Sequence, residues 1–170
     1  MLAALGPWPP ELVALYCSVP PEPDTTRLVE ELARAGVGVL LPVLGPYPDG
    51  IPRREPDWAL YTGPEHMRAG LWGIPEPTSP SLGARALERA GLVLLPGVAA
   101  TATGVRLGLG GGWYDRALLH ARADAPRWLL LNSDEIVDAL PTDPWDQPVT
   151  SIVTEQGWVD CHEAVISPPE

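Results

Sequence analysis

Leu12-Val-Ala-Leu-Tyr-Cys-Ser18, Thr25-Thr-Arg-Leu-Val-Glu-Glu-Leu-Ala-Arg-Ala35 and Val37-Gly-Val-Leu-Leu41 decide the fold. The first and last are short apolar runs closed by Val-Pro-Pro and by Pro42, the pattern of strands buried on both faces. Between them Leu28, Val29 and Leu32 fall at helical spacing among charges. Asp24 or Thr25 can cap that helix and Gly36 can end it. Strand, helix and strand in this order make a β-α-β unit, whose two strands run parallel.

Working outward, the segment from Gly45 to Pro80 is rich in Pro, Gly and aromatics. It reads as loop around one or two short strands, Trp58–Tyr61 among them, and such loops carry binding residues. Further strands are expected at Leu92–Leu95, Trp128–Leu131 and Ser151–Thr154. Helices are expected at Ser81–Ala90, from about Tyr114 to Ala123, and at Asp134–Ala139. The tail from Glu163 reads as frayed. The alternation implies a three-layer α/β/α sandwich with a mostly parallel sheet. No repeat or linker divides the 170 residues, so a single domain with its core at about 12–160 is expected.

Composition narrows the function. A net charge of −11 argues against nucleic acid as a partner, because a nucleic-acid binder needs a basic footprint. No run of eighteen apolar residues is present, which argues against a membrane span. The stretch Met1–Trp8 lacks the basic start of a signal peptide, so the cytoplasm is the expected location. All eleven basic residues are arginine. Without lysine a P-loop and Schiff-base chemistry are both excluded. Cys17 and Cys161 lie far apart, and His66, His120 and His162 are scattered, so a zinc site is not expected.

The informative chemistry lies in Arg106-Leu-Gly-Leu-Gly-Gly-Gly-Trp-Tyr-Asp-Arg116. Gly108, Gly110, Gly111 and Gly112 fall between an expected strand and an expected helix. Such a loop can reach positive φ and turn several N–H groups toward one point, with the helix start adding to its positive field. Arg106 and Arg116 can pair with phosphate oxygens, and Asp115 can hold Mg²⁺ beside a triphosphate. The alternative is a flexible turn. The Gly-x-Gly-x-Gly spacing followed by Trp113, late in the chain, does not match a dinucleotide-binding fingerprint.

The same residues closely resemble the R-x-G-x-G-x-G-(Y/W/S)-Y-D-R signature of the 5-formyltetrahydrofolate cyclo-ligases. Leu92-Val-Leu-Leu-Pro-Gly-Val98 resembles the strand leading into it. Gly73-Ile-Pro-Glu-Pro77 resembles the family's G-I-x-E-P element, and Leu15–Thr25 its Y-x-S-x-x-x-E-x-x-T element. Leu40–Val43 resembles its l-P-x-v strand end, and Pro144–Val149 with Val153–Glu155 its C-terminal element. The likeness runs in order over about residues 12–160.

The resemblance implies a CoA-transferase-like α/β fold and ATP-dependent closure of 5-formyltetrahydrofolate to 5,10-methenyltetrahydrofolate, with release of ADP and phosphate. The alternative is a non-catalytic folate- or nucleotide-binding relative on the same fold. It implies that Arg106, Leu107, Gly108, Leu109, Gly110, Gly111, Gly112, Trp113, Tyr114 and Arg116 bind ATP. Cys17, Glu22, Gly110, Gly111, Gly112, Trp113 and Tyr114 would contact the folate, and Asp115 would bind Mg²⁺. The partners are then small molecules, with the chain working as a monomer or weak dimer.

Two departures stand out. Family members usually begin with a basic helix that supplies phosphate and folate contacts, whereas this sequence starts almost at its first strand. The phosphate site is therefore expected to rest on the loop, Arg106 and Arg116, each charge-assisted contact being worth about 1.5–3 kcal/mol. Thr150 stands where the family usually has an Asp that can serve as a second Mg²⁺ ligand.

Overall fold

The computed structural model describes residues 10–161; Met1–Trp8, His162 and the tail from Glu163 lie outside the described residues. In chain order the elements are β1 (Leu12–Ala14), α1 (Thr26–Arg34), β2 (Gly38–Pro42), β3 (Trp58–Leu60), β4 (Met67–Ala69), β5 (Pro75–Pro77) and β6 (Leu92–Pro96). Then come β7 (Ala99–Ala100), β8 (Arg106–Leu107), α2 (Trp113–Leu118), β9 (Arg127–Leu130), β10 (Ser151–Thr154) and β11 (Gly157–Asp160).

The opening β-α-β unit forms as expected. Asp24 Oδ1 accepts from the Thr26 amide at 2.9 Å and so satisfies one free N–H of the first turn of α1. Thr25 does not cap; its hydroxyl turns inward to the carbonyl of Tyr16 at 2.7 Å. At the other end Gly36 takes φ +82°, with its amide on the Ala33 carbonyl and the Val37 amide on the Leu32 carbonyl. This is a Schellman motif, and a residue with a Cβ is strained at that position. β1 and β2 then pair in parallel, Val13 opposite Val39.

Seven strands form one sheet in the order β11-β10-β9-β6-β1-β2-β3. The pairs β1–β2, β1–β6, β6–β9 and β9–β10 are parallel, while β3 and β11 close the two edges antiparallel. Both faces are apolar because successive residues bury on opposite sides. Val13, Leu15, Leu92, Leu94 and Leu130 join Leu28, Val29 and Leu32 of α1 on one face. Ala14, Val93, Leu95, Leu129 and Leu131 pack with Leu87, Ala117 and Leu118 on the other. The sandwich is therefore real, with α1 on one side and α2 with a 3-10 segment on the other.

Three helices are shorter than expected. Ala84–Arg89 is 3-10, entered from Gly83 at φ +77°. α2 stops at Leu118 because His120 and Ala121 donate three residues back, tightening the last turn. Only Ser133–Glu135 turns where Asp134–Ala139 was expected. Beyond it the Val137 amide bonds the Ala100 carbonyl, drawing the chain out beside β7. Among the described residues no helix is long and apolar enough to cross a membrane.

This topology fixes where a ligand can sit. The chain leaves β1 for β2 on one side and later returns to β6 on the other, so the strand order reverses between β1 and β6. Open α/β sheets bind ligands outside the carboxyl ends of the strands flanking such a reversal.

Candidate functional site

Two segments meet at that reversal. The first follows β1 and is knotted by its own side chains. Thr25 is fully buried; its Oγ1 donates to the Tyr16 carbonyl and accepts from the Ser18 amide, while its amide donates to Ser18 Oγ. Glu22 Oε2 accepts from the Val19 amide at 2.9 Å, and the Glu22 amide returns to the Val19 carbonyl. Tyr16, Ser18, Glu22 and Thr25 are the four named residues of the Y-x-S-x-x-x-E-x-x-T pattern, so the spacing encodes a loop that holds one carboxylate in place. Burial pushes the Glu22 carboxyl above the ordinary glutamate range, with the Val19 amide opposing. Burial also pushes the Cys17 thiol up to about 11, which keeps it protonated at neutral pH.

The second segment follows β6. The chain turns through the β7–β8 hairpin, and Val98 bonds back to Leu107, which returns the loop to the carboxyl end of β6. Gly110 and Gly112 take φ +85° and +58°. Among the described residues the amides of Gly108, Leu109, Gly110, Gly111 and Gly112 donate to no protein acceptor. A Cβ built at Gly110 or Gly111 meets nothing within 4 Å. Five consecutive free amides on an open glycine surface suit an anion with several oxygens. α2 has only six residues, so the free amides rather than a long dipole carry the attraction.

The flanking charges are arranged differently from one another. Arg106 is buried: Nη2 donates to Asp115 Oδ1 at 2.5 Å and Nε to the Gln147 carbonyl at 3.2 Å. The same Asp115 oxygen accepts from the Gln147 amide at 3.1 Å. Arg106 thus lies beneath the loop, with Nη1 3.7 Å from the place of a Gly108 Cβ. Arg116 is exposed, and its Nη1 braces the Gly111 carbonyl at 3.2 Å.

Trp113 packs edge-on against Trp58 and Tyr114, with ring centres at 5.1 and 4.8 Å. Its neighbour Tyr114 buries a hydroxyl that has no hydrogen-bond partner. Burial, with Tyr16, Glu22 and Cys17 nearby, pushes that phenol well above its ordinary value, and Arg106 opposes the shift. The structure therefore brings Tyr114, in the first turn of α2, together with Tyr16, Cys17 and Glu22 from the knot.

Asp115 Oδ2 accepts no hydrogen bond among the described residues, which leaves one carboxylate oxygen without a protein donor. This fits Mg²⁺, which is commonly held by one or two carboxylates, phosphates and water. No group of three His, Cys, Asp or Glu side chains gathers around a metal position among the described residues. Thr150 does not face the loop through its hydroxyl, which bonds the Arg127 amide and carbonyl at 2.9 and 3.1 Å. A cleft of about 200 Å³ opens beside Arg106 against Thr142, Asp143, Asp146 and Gln147. A larger groove, about 400 Å³, lies against Glu30, Arg34 and Tyr61, toward the C-terminal end of α1 and away from the knot.

Sequence reasoning missed Tyr16, Gln147 and the half-buried Arg127. Tyr16 and Gln147 lie inside segments already singled out, and interleaving them with the named positions was the available signal. Arg127 sits at the start of a strand with no local mark. Its guanidinium is held below its ordinary value by burial and by Arg106 nearby.

Residues 10–155 match the model of the 5-formyltetrahydrofolate cyclo-ligase family. The 5-formyltetrahydrofolate cyclo-ligase of Mycolicibacterium smegmatis is 37% identical over 84% of this chain and 72% of its own length. That of Escherichia coli K12 is 34% identical over 84% of this chain and 76% of its own. The solved 5,10-methenyltetrahydrofolate synthetase of Aquifex aeolicus superposes with a TM-score of 0.76 at 27% identity, covering 99% of this chain and 83% of that one.

Proposed function

Because the chain belongs to the 5-formyltetrahydrofolate cyclo-ligase family, we propose that it closes 5-formyltetrahydrofolate to 5,10-methenyltetrahydrofolate with ATP as co-substrate. The observation carrying this reading is the row of five free amides over a buried Arg106, next to the orphaned hydroxyl of Tyr114.

The formyl oxygen attacks the γ-phosphorus and ADP leaves. N10 then adds to the formyl carbon, the C–O bond breaks with its electron pair going to phosphate, and N10 loses its proton. Each residue's part is positional and electrostatic. The Gly108–Gly112 amides hold phosphate oxygens, Arg106 supplies positive charge from below, and Arg116 keeps the loop's shape. Mg²⁺ held at Asp115 Oδ2 would neutralise phosphate charge. Tyr114 remains a phenol and donates its hydrogen bond to the bound substrates. Glu22, fixed by Val19, accepts from the pterin ring, with Cys17 as a neutral wall beside it.

The test mixes the protein with Mg-ATP and 5-formyltetrahydrofolate and follows the absorbance of the methenyl product. Product formation dependent on ATP is expected. Thr150, tied to Arg127 where the family usually has a carboxylate, favours the second reading, a folate- or nucleotide-binding protein without turnover. Tight folate binding with no product would establish that one instead.

A further inference from the structure

The Gly73-Ile-Pro-Glu-Pro77 element takes no part in the site described above, yet its glutamate is among the most buried charges in the molecule. The Glu76 side chain is 2% exposed. Its Oε2 accepts from the amides of Leu44 and Gly45 at 2.9 and 2.8 Å, and its Oε1 accepts from Arg68 Nε at 3.0 Å and Nη2 at 2.8 Å. The fit is close: a Cβ on Gly45 or Gly70 would come within 2.7 or 2.6 Å of the Glu76 carboxylate. Glu76 thus pins the β4–β5 hairpin to the chain leaving β2.

The two partners differ in exposure. Arg53 and Arg106 also pair with buried or half-buried acids, but their own side chains are buried, at 7% and 5% exposed. The Arg68 side chain is 54% exposed. Its Nη1 donates to nothing among the described residues. Arg68 is therefore a guanidinium whose position is fixed from inside while its free edge faces solvent. Such a fork is pre-organised for a carboxylate, at little further entropic cost.

Its place relative to the proposed reaction follows from the sheet. Tyr16–Ser18 leaves β1 and Val43–Gly45 leaves β2 at the same end of two adjacent parallel strands, about 5 Å apart. The glycine loop occupies the β6 side of β1. A folate ring at Glu22 with nucleotide phosphates on the β6 side leaves the β2 side for the rest of the molecule. The tail of a reduced folate ends in glutamate carboxylates. We infer that Arg68, clamped by Glu76, receives a carboxylate of that tail and sets the preference for substrates that carry it. This rests on the reading of the site as a folate cyclo-ligase.

The test compares 5-formyltetrahydrofolate with 5-formyltetrahydropteroate, which lacks the glutamate, using wild type, Arg68→Gln and Arg68→Lys. Glutamine removes the charge but can still donate to Glu76, and thermal melting of both variants reports on folding. Wild type is expected to favour the tailed substrate in kcat/KM. Arg68→Gln is expected to raise KM for it about tenfold with kcat within twofold, leaving the tail-less substrate unaffected. Arg68→Lys should recover part of the preference. Equal loss on both substrates, or an undiminished preference in a folded Arg68→Gln, overturns the inference alone. A wild type that neither turns over nor binds either substrate overturns the reading beneath it.

Discussion

Arg106 Nη2 and Asp115 Oδ1 lie 2.5 Å apart, and the Gln147 amide reaches the same oxygen at 3.1 Å. One oxygen thereby joins β8, α2 and the loop before β10. The pair lies under the glycine loop with little solvent access, so breaking it leaves a charge unmatched in a poorly hydrated place.

Arg106→Ala is expected to lose about 3–5 kcal/mol of stability, the usual cost of orphaning one member of a buried pair. The double change Arg106→Ala with Asp115→Ala should recover part of that loss in urea denaturation, since the two side chains act on each other. Strictly additive losses would show that the pair contributes no coupling.

Tyr114→Phe separates packing from chemistry. The Tyr114 hydroxyl is buried without a partner, and removing it should stabilise the protein by about 1 kcal/mol. If the hydroxyl meets bound substrate, kcat/KM should fall at least tenfold in the same variant. A variant that is more stable and fully active would remove Tyr114 from the reaction.

Glu22 gives a pH signature. Its folded carboxyl is raised above the ordinary glutamate range, chiefly by burial. The folded state then binds more protons than the unfolded one as pH rises from the ordinary glutamate value through the raised one. Stability linked to this group is fully present below that window and lost across it. Glu22→Gln, which does not titrate, should gain relative to wild type as pH rises from 4 to 7. A constant difference in melting temperature over that range would contradict the burial.

Cys17 should be a sluggish nucleophile. With its thiol near 11, roughly one part in a thousand is thiolate at pH 8. Alkylation of Cys17 by iodoacetamide, followed by mass spectrometry, should be more than tenfold slower than for a free thiol and accelerate toward pH 10. Rapid modification at pH 8 would mean that the knot opens readily.

How much of this was legible in the sequence depended on how local the cause was. The β-α-β unit could be read because Pro42, Gly36 and the Leu28–Val29–Leu32 stripe each act within a few residues. β11 escaped because Gly157–Asp160 is a mostly exposed edge strand without a buried apolar run; β10 alone holds it. The glycine loop announced itself by composition. The pairing of Arg106 with Asp115 did not, because nine residues and a reversal of direction separate them. Glu76 looked like part of a proline-rich loop, and its partners Leu44 and Gly45 lie more than thirty residues upstream.

The glycine loop offers the sharpest contrast between shape and function. Gly112 sits at φ +58°, where a Cβ would also meet Arg116 Nη1 at 3.2 Å, so Gly112→Ala should cost about 1 kcal/mol of stability. Gly111 has no such φ and open space around it, so Gly111→Ala should fold as stably as wild type. If phosphate oxygens lie against that open surface, the added methyl meets them instead, and KM for ATP should rise about tenfold while melting temperature stays put. Titrating both variants with ATP, alongside melting curves, decides the matter. A Gly111→Ala protein with an unchanged ATP requirement would mean that the free amides face water during turnover and that phosphate is held elsewhere.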